Sequence, residues 1–294
     1  MTPSGPPMPH SPKASDFADA LLPGTPGWAS LEVEQIDGAS AVTSLYATSP
    51  MKVLCPRSRG PSVWAYLSSY GGGLVAGDNT RLRVRLGREA RCFLGTQSST
   101  KVYRNPDGRP SGHDTLAVLG PGSFLMLAPD PIQAFGDSLY RQRQEFHLAS
   151  DASLALLDWV SSGRSARGER WAFSLFSSRN DLFVGGRRVL LDSVRLSPGE
   201  GPLQDPHRMG GFECIASLLL TGPVLAPLSA ALLEQTAAHP VLPGEPLVCS
   251  ASPIHGGALL RIAGASVEQV GGLLHRHLAR LADPLGDDPW SRKS

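Results

Sequence analysis

Arg81-Leu82-Arg83-Val84-Arg85-Leu86 alternates charge and hydrocarbon with a period of two, the repeat of a strand with one buried and one wet face. Leu82, Val84 and Leu86 share one side and the three arginines the other, a sorting that a helix cannot make. Gly87 to Ala90 then turn the chain into Arg91-Cys92-Phe93-Leu94, which reads as a β-hairpin. Further strand candidates follow at residues 115–119, 124–127, 140–148, 154–160, 171–176 and 189–196, divided by turn signals such as Gly120-Pro121-Gly122 and Gly185-Gly186. Glycine and proline, 32 and 26 of the 294 residues, supply turns and disfavour long helices. The pattern predicts a mainly β fold of many short strands in packed sheets, a sandwich or a relative of one. Helical periodicity comes late: residues 212–220 and 225–238 are compactly apolar, and 266–282 places Val267, Val270, Leu273, Leu274, Leu278 and Leu281 on one face. A few helices are therefore expected in the C-terminal third.

Residues 1–27 are rich in Pro, Ser and Gly and poor in large apolar side chains, so a disordered tail is expected there, with 28–294 forming a single domain. No charged segment followed by an apolar core marks a secretory signal, and apolar runs fall far short of the roughly 20 residues that cross a bilayer. A soluble, cytoplasmic protein is the expectation. With 27 basic against 26 acidic residues, no overall field draws the chain to nucleic acid or an anionic membrane. Cys55, Cys92, Cys214 and Cys249 contain no CxxC pair, which argues against a zinc knuckle and for reduced, mostly buried thiols.

Several motifs have a chemical reading and a structural one. Gly71-Gly72-Gly73-Leu74-Val75-Ala76 has the form G-x-G-x-x-A, but a strand follows where a nucleotide-binding helix would have to begin. A tight turn is the better reading, with Asp78 free to bond nearby amides. Ser98-Ser99-Thr100-Lys101 matches S-x-x-K without the companion motifs of serine acyl enzymes, and Ser165 lies in a near miss of a nucleophile elbow. A serine-dependent hydrolase using Ser98 or Ser165 is thus a weak alternative. His275 and His277, two apart on a helix, point to different sides, and His255 in a glycine turn is the histidine to inspect for transient metal contact. No permanent metal site is written here. Between Asp158 and Trp171, charged and hydroxyl residues form either a solvated loop or a network that holds Glu169 between arginines.

Gly71-Gly72-Gly73-Leu74-Val75-Ala76-Gly77-Asp78, then Thr96-Gln97-Ser98-Ser99-Thr100-Lys101-Val102-Tyr103-Arg104, then Gly163-Arg164-Ser165-Ala166-Arg167-Gly168-Glu169-Arg170 resemble, in order and spacing, the signatures of the UreD (UreH) urease accessory proteins. The likeness runs from about Leu31 to Trp290 and takes in Leu127-Ala128-Pro129-Asp130-Pro131. It implies a non-catalytic, mostly β platform, a chaperone required for nickel insertion into apo-urease in nitrogen metabolism. Implied partners are apo-urease, a UreF-like accessory protein and a UreG-like GTPase, with a dimer inside the accessory complex. Nickel is implied in transit through an internal passage, with no permanently bound cofactor. The resemblance makes Asp78, Thr96, Gln97, Lys101, Asp158, Arg167 and Glu169 the candidates for lining or shaping that passage. A binding module serving another metalloprotein is the remaining alternative.

Overall fold

The period-two alternation builds most of the molecule, but not always in the sheet that local sequence suggests. The computed structural model describes residues 24–57 and 60–290, so most of the expected tail, 1–23, lies outside the described residues. Strands run in chain order as β1 (Trp28–Ile36), β2 (Ala39–Ala47), β3 (Met51–Leu54), β4 (Val63–Ser69), β5 (Asn79–Leu86) and β6 (Arg91–Thr96). Next come β7 (Thr100–Val102), β8 (Ser111–Leu119), β9 (Phe124–Ala128), β10 (Ile132–Ala134), β11 (Leu139–Leu148) and β12 (Ser153–Ser161). The last strands are β13 (Leu175–Val184), β14 (Arg187–Leu196), β15 (Cys214–Thr221), β16 (Leu247–Ile254) and β17 (Gly257–Gly264). Helices α1 (Ala226–Ala237), α2 (Val267–Leu278) and the single turn α3 (Ala282–Leu285) lie in the C-terminal third, as expected.

Seven strands form one sheet in the order β14-β13-β11-β8-β5-β1-β2, and ten belong to a second built along β16-β17-β15-β12-β9-β6-β4-β3. In the first sheet β1, β5, β8, β11 and β13 are all parallel to their neighbours, with antiparallel β2 and β14 at the edges. The two sheets face each other across an apolar core containing Leu31, Leu82, Val84, Leu94, Leu125 and Leu156. The ten-stranded sheet is buried on its other face too, where Phe93, Met126, Leu157 and Leu218 meet Leu228 and Leu232 of α1 and Val270, Leu274 and Leu278 of α2. This third layer explains why β9, and residues 92–94 of β6 and 218–220 of β15, read as unbroken apolar runs: strands covered on both faces have no wet side to alternate with. Ser266 caps α2 by accepting a hydrogen bond from Gln269 N–H at 3.2 Å.

Three local expectations are corrected. Arg81–Leu86 and Arg91–Leu94 are strands but not a hairpin: β5 joins the seven-stranded sheet between β1 and β8, and β6 joins the other between β4 and β9. Residues 87–90 form an arch between layers, which a four-residue spacer permits as readily as a hairpin loop. Residues 212–220, read as helical, contain strand β15. Leu219 faces the sheet–sheet core while Leu218 and Leu220 face the helices, and so short a run cannot be told from a buried helix by periodicity. Of residues 171–176 only Leu175 and Phe176 are in a strand; Trp171 is buried at a positive φ of 53° with its indole N–H donated to the Phe212 carbonyl.

Leu82 is fully buried in the core, whereas Arg83 points to solvent. Leu82→Ala should therefore lower unfolding free energy by about 2–5 kcal/mol and Arg83→Ala by no more than about 0.5 kcal/mol, read from urea midpoints.

A polar chamber between the sheets

Parallel register stacks the inward side chains of the seven-stranded sheet into rows, and the rows change character along the strands. Thr80, His113, Gln142 and Ser178 are successive register partners and form one row. Leu82, Thr115, Gln144 and Asn180 form the next, after which Val84, Ala117, Phe146 and Leu182 begin the hydrocarbon end. The polar rows face the second sheet across a cavity of about 340 Å³, closed from the opposite side by Thr96, Leu127 and Asp158.

Asp158 is the centre of this end. Its carboxylate accepts hydrogen bonds from Gln142 Nε2 at 3.1 Å, Asn180 Nδ2 at 3.1 Å and Ser178 Oγ, so three donors from the seven-stranded sheet meet one acceptor from the ten-stranded sheet. Tyr140 O–H fixes Gln142 by donating to Oε1 at 3.0 Å, and Gln144 Nε2 fixes Asn180 by donating to Oδ1 at 2.9 Å. Burial pushes the Asp158 carboxyl above its ordinary value, the three hydrogen bonds pull it back, and Asp192 raises it further. Asp192 is itself buried and paired with Arg261.

A second cavity of about 330 Å³ lies beyond Asp158, bounded by Phe176, Val194, Ile215, Cys249 and Arg261. Asp158 and Trp159 line both cavities, so the accessible surface that Asp158 keeps faces these chambers. A wider recess of about 990 Å³ beside residues 53–56 shares Thr96, Gln97 and Asp130 with the first chamber. There Thr96 Oγ donates to Asp130 Oδ2 at 2.9 Å and accepts from Asp130 N–H at 2.7 Å.

Of the seven residues singled out in the sequence, Thr96, Gln97 and Asp158 come together on the first chamber's wall. Asp78 does not line it; its carboxylate accepts from Val75 N–H at 3.0 Å and fastens the glycine turn whose Gly72, Gly73 and Leu74 do. A Cβ on Gly73 would come 2.5 Å from the Lys101 carbonyl, so glycine is what lets this turn lie against β7. Lys101 and Arg167 are exposed. Glu169 is paired with Arg164 and accepts from Gly136 N–H at 3.1 Å, and the Arg164 guanidinium holds its carboxyl below the usual range. The network reading of this segment holds for that pair, and Arg170 pairs separately with Glu213 at 3.2 Å.

His113, Gln142, Gln144, Ser178 and Asn180 lie outside every motif named above. Their signal was present: Phe146 and Leu148 identify the buried face of 140–148, and period two then carries Gln142 and Gln144 to the same face. Among the other candidates, Ser98 lines the chamber with no hydrogen bond to Lys101 among the described residues, and Ser165 is exposed. His255 is exposed, His275 stacks on Trp290 with centroids 4.0 Å apart, and His277 is half-buried. The thiols are all free, but only Cys92 and Cys214 are buried; Cys249 is intermediate and Cys55 exposed. Among the described residues no three His, Cys, Asp or Glu side chains are placed to hold a metal, and no helix is long and apolar enough to cross a membrane.

A two-sheet body with a helical third layer, around a chamber lined by hydroxyl, amide and carboxylate groups together with leucine, isoleucine and tryptophan side chains, defines the class: a β scaffold with a partly polar internal space. The sequence profile described as "UreD urease accessory protein" matches residues 25–293. Urease accessory protein UreD of Sorangium cellulosum is 46% identical over 274 residues, covering 92% of this chain and 85% of that protein. The UreD of an Anaeromyxobacter species is 40% identical over 89% of this chain and 88% of its own length, and urease accessory protein D of Arabidopsis thaliana 31% over 88% and 98%. The chain belongs to the UreD family of urease accessory proteins.

Because burial raises the Asp158 carboxyl, the folded protein keeps that proton to higher pH than the unfolded chain does. The stability this group contributes is full below the unfolded value and declines as pH rises through the folded one. Asp158→Asn should remove the decline, so the unfolding free energy of the wild type relative to the variant should fall as pH rises above the ordinary carboxylate range, as followed by urea denaturation.

Proposed function

We propose that this chain is a cytoplasmic scaffold for urease maturation, and that nickel crosses it as cargo through the polar end of the sandwich, from one chamber to the other past Asp158. The single observation that carries the reading is the meeting of two cavities at one enclosed carboxylate, at one end of a sandwich whose other end is packed with hydrocarbon. Hydroxyl, amide and carboxylate oxygens hold a borderline cation such as nickel loosely, whereas a cluster of thiolates and imidazoles would retain it. Such a lining suits passage better than storage.

In this reading Thr96, Gln97 and Asp158 contact the ion or its water shell. Asp78 and Glu169 act indirectly, by fastening the turns at 71–78 and 162–171, while Lys101 and Arg167 are placed to meet partners. Those partners are apo-urease, a UreF-like accessory protein and a UreG-like GTPase, assembled with two copies of this chain. Val241 and Leu242, 51% and 58% exposed beside the second cavity's rim, offer apolar contact area to such a partner.

Asp158→Leu tests the passage. In urease activation reconstituted with the accessory proteins and nickel, the variant should assemble with its partners normally yet yield at least about tenfold less active urease, the scale on which lost metal contacts act. Normal activation by a folded, assembled Asp158→Leu protein refutes the route. Glu169→Ala should instead speed amide exchange across residues 162–171 while leaving the protons of the core strands protected.

A further inference from the structure

His113 sits in the first polar row with both ring nitrogens engaged, Nδ1 at 2.8 Å from Thr80 Oγ1 and Nε2 at 3.1 Å from Thr115 Oγ1. Two proton arrangements fit those distances, and a second contact of the Thr80 hydroxyl distinguishes them. Thr80 Oγ1 also lies 3.2 Å from the Gly112 carbonyl and can donate to it. If it does, the ring gives its Nδ1 proton to Thr80, and the Thr115 hydroxyl gives its own proton to Nε2, so every buried donor has an acceptor. In the opposite arrangement Nε2–H donates to Thr115 and Thr80 gives its proton to Nδ1, which takes the Thr80 hydroxyl away from the Gly112 carbonyl. With the Thr80 proton held by the Gly112 carbonyl, the ring carries its proton on Nδ1 and turns an Nε2 lone pair toward Thr115 and the chamber. Burial lowers its pKa to about 4, so it is neutral at physiological pH.

That is the state in which histidine binds metals, with the distal N–H tied to a fixed acceptor that sets tautomer and ring orientation. Oxygen donors adjoin it. Thr115 Oγ1 is already within hydrogen-bond distance of Nε2, and Gln144 is the register partner of Thr115 on β11. Gln144 spends an amide N–H on Asn180, and its carbonyl accepts no hydrogen bond among the described residues. All three residues line the chamber, whose 340 Å³ leaves room for a cation with part of its water shell, at about 30 Å³ per water.

We propose that His113 Nε2, Thr115 Oγ1 and the Gln144 carbonyl form a mixed nitrogen–oxygen station for a divalent first-row cation, one step before Asp158. The proposal rests on the passage reading for its purpose but not for its chemistry. On binding, the Thr115 hydroxyl turns its proton from Nε2 to a chamber water and presents a lone pair to the ion. One imidazole gives selectivity over magnesium and calcium, and the neutral oxygens keep the site weak enough to empty.

Nickel sulfate added at one equivalent to the full chain, followed by X-ray absorption at the nickel edge, tests the station directly. The wild type should show outer-shell scattering from one imidazole, and His113→Gln should show oxygen ligands only. Thr80→Val, which removes the acceptor of Nδ1–H, should weaken nickel binding roughly tenfold. Imidazole scattering that persists in His113→Gln overturns the proposal. So does an Nε2–H tautomer in ¹⁵N spectra of the wild-type ring, or a His113 ring signal that nickel leaves unbroadened; neither measurement depends on a variant folding. The two readings fail separately: these outcomes remove the station, while normal urease activation by Asp158→Leu removes the passage and leaves the station intact.

Discussion

A carboxylate enclosed between two sheets is tolerable only when donors surround it, because an unpaired buried charge costs several kcal/mol or gives up its charge. Asp158 meets that condition with Gln142, Ser178 and Asn180, all from the opposite sheet. Each donor has to be held in place in turn, which is the work of Tyr140 and Gln144. The consequence spreads along whole rows: once position 158 is acidic, the facing row must be polar. The neighbouring row must supply the second tier of amides, and hydrocarbon packing can begin only at Ala117, Phe146 and Leu182. Amides and hydroxyls arranged for hydrogen bonding do not interdigitate like leucines, and the unfilled space between the tiers is the chamber.

The outer face of the same sheet solves a different problem. Five parallel strands with one uncovered face are unusual, since parallel sheets are generally buried on both sides. Here the uncovered face is made water-compatible by ion pairs along the strands. Arg143, Glu145 and His147 form one set on β11, while Arg179 and Asp181 on β13 join Arg188 of β14 in another. Glu145 and Asp181 are register partners, two carboxylates side by side, and both are buried under the arginines that flank them. Arginine suits this use because its stem covers apolar surface while the guanidinium forks onto a carboxylate, as Arg179 does on both oxygens of Asp181 at 2.7 and 3.1 Å. The alternation at 81–86 thus announced a strand with a wet face.

What the sequence revealed follows from which interactions are local. Alternation at 81–86 and 140–148 is a property of consecutive residues and located β5 and β11; the amphipathic stripe at 266–282 located α2 for the same reason. Sheet membership is not local. Whether residues 87–90 close a hairpin or cross between layers depends on β1, β4, β8 and β9, none of which is adjacent in the chain, and whether 214–221 is helix or strand depends on layers covering both faces. The site divided along the same line. Thr96, Gln97 and Asp158 lie in motif segments and do reach the chamber, but the matching donors on β8, β11 and β13 lie outside every motif and become visible only when parallel register sets Thr80, His113, Gln142 and Ser178 in a row. Asp78 and Glu169, conspicuous in the motifs, are spent on backbone amides of nearby turns.

The hydrogen-bonded state of Asp158 also bears on how an ion could leave. A cation resting on this carboxylate has to displace donors that now satisfy it, and Gln142, Ser178 and Asn180 would then need other acceptors. Amide and hydroxyl groups can meet that need by rotation, since each carries donor and acceptor atoms on one side chain, whereas a lysine or arginine in the same place could only donate and would repel the ion. Among the described residues the walls of the first chamber contain no such cation, and Arg261, which lines the second cavity with Asp158, is bound to Asp192. In the proposed passage, binding and release at this point are therefore nearly balanced exchanges between water, amide and carboxylate. That balance, more than any strong ligand, is the physical requirement for an ion to enter a protein interior and come out on the other side.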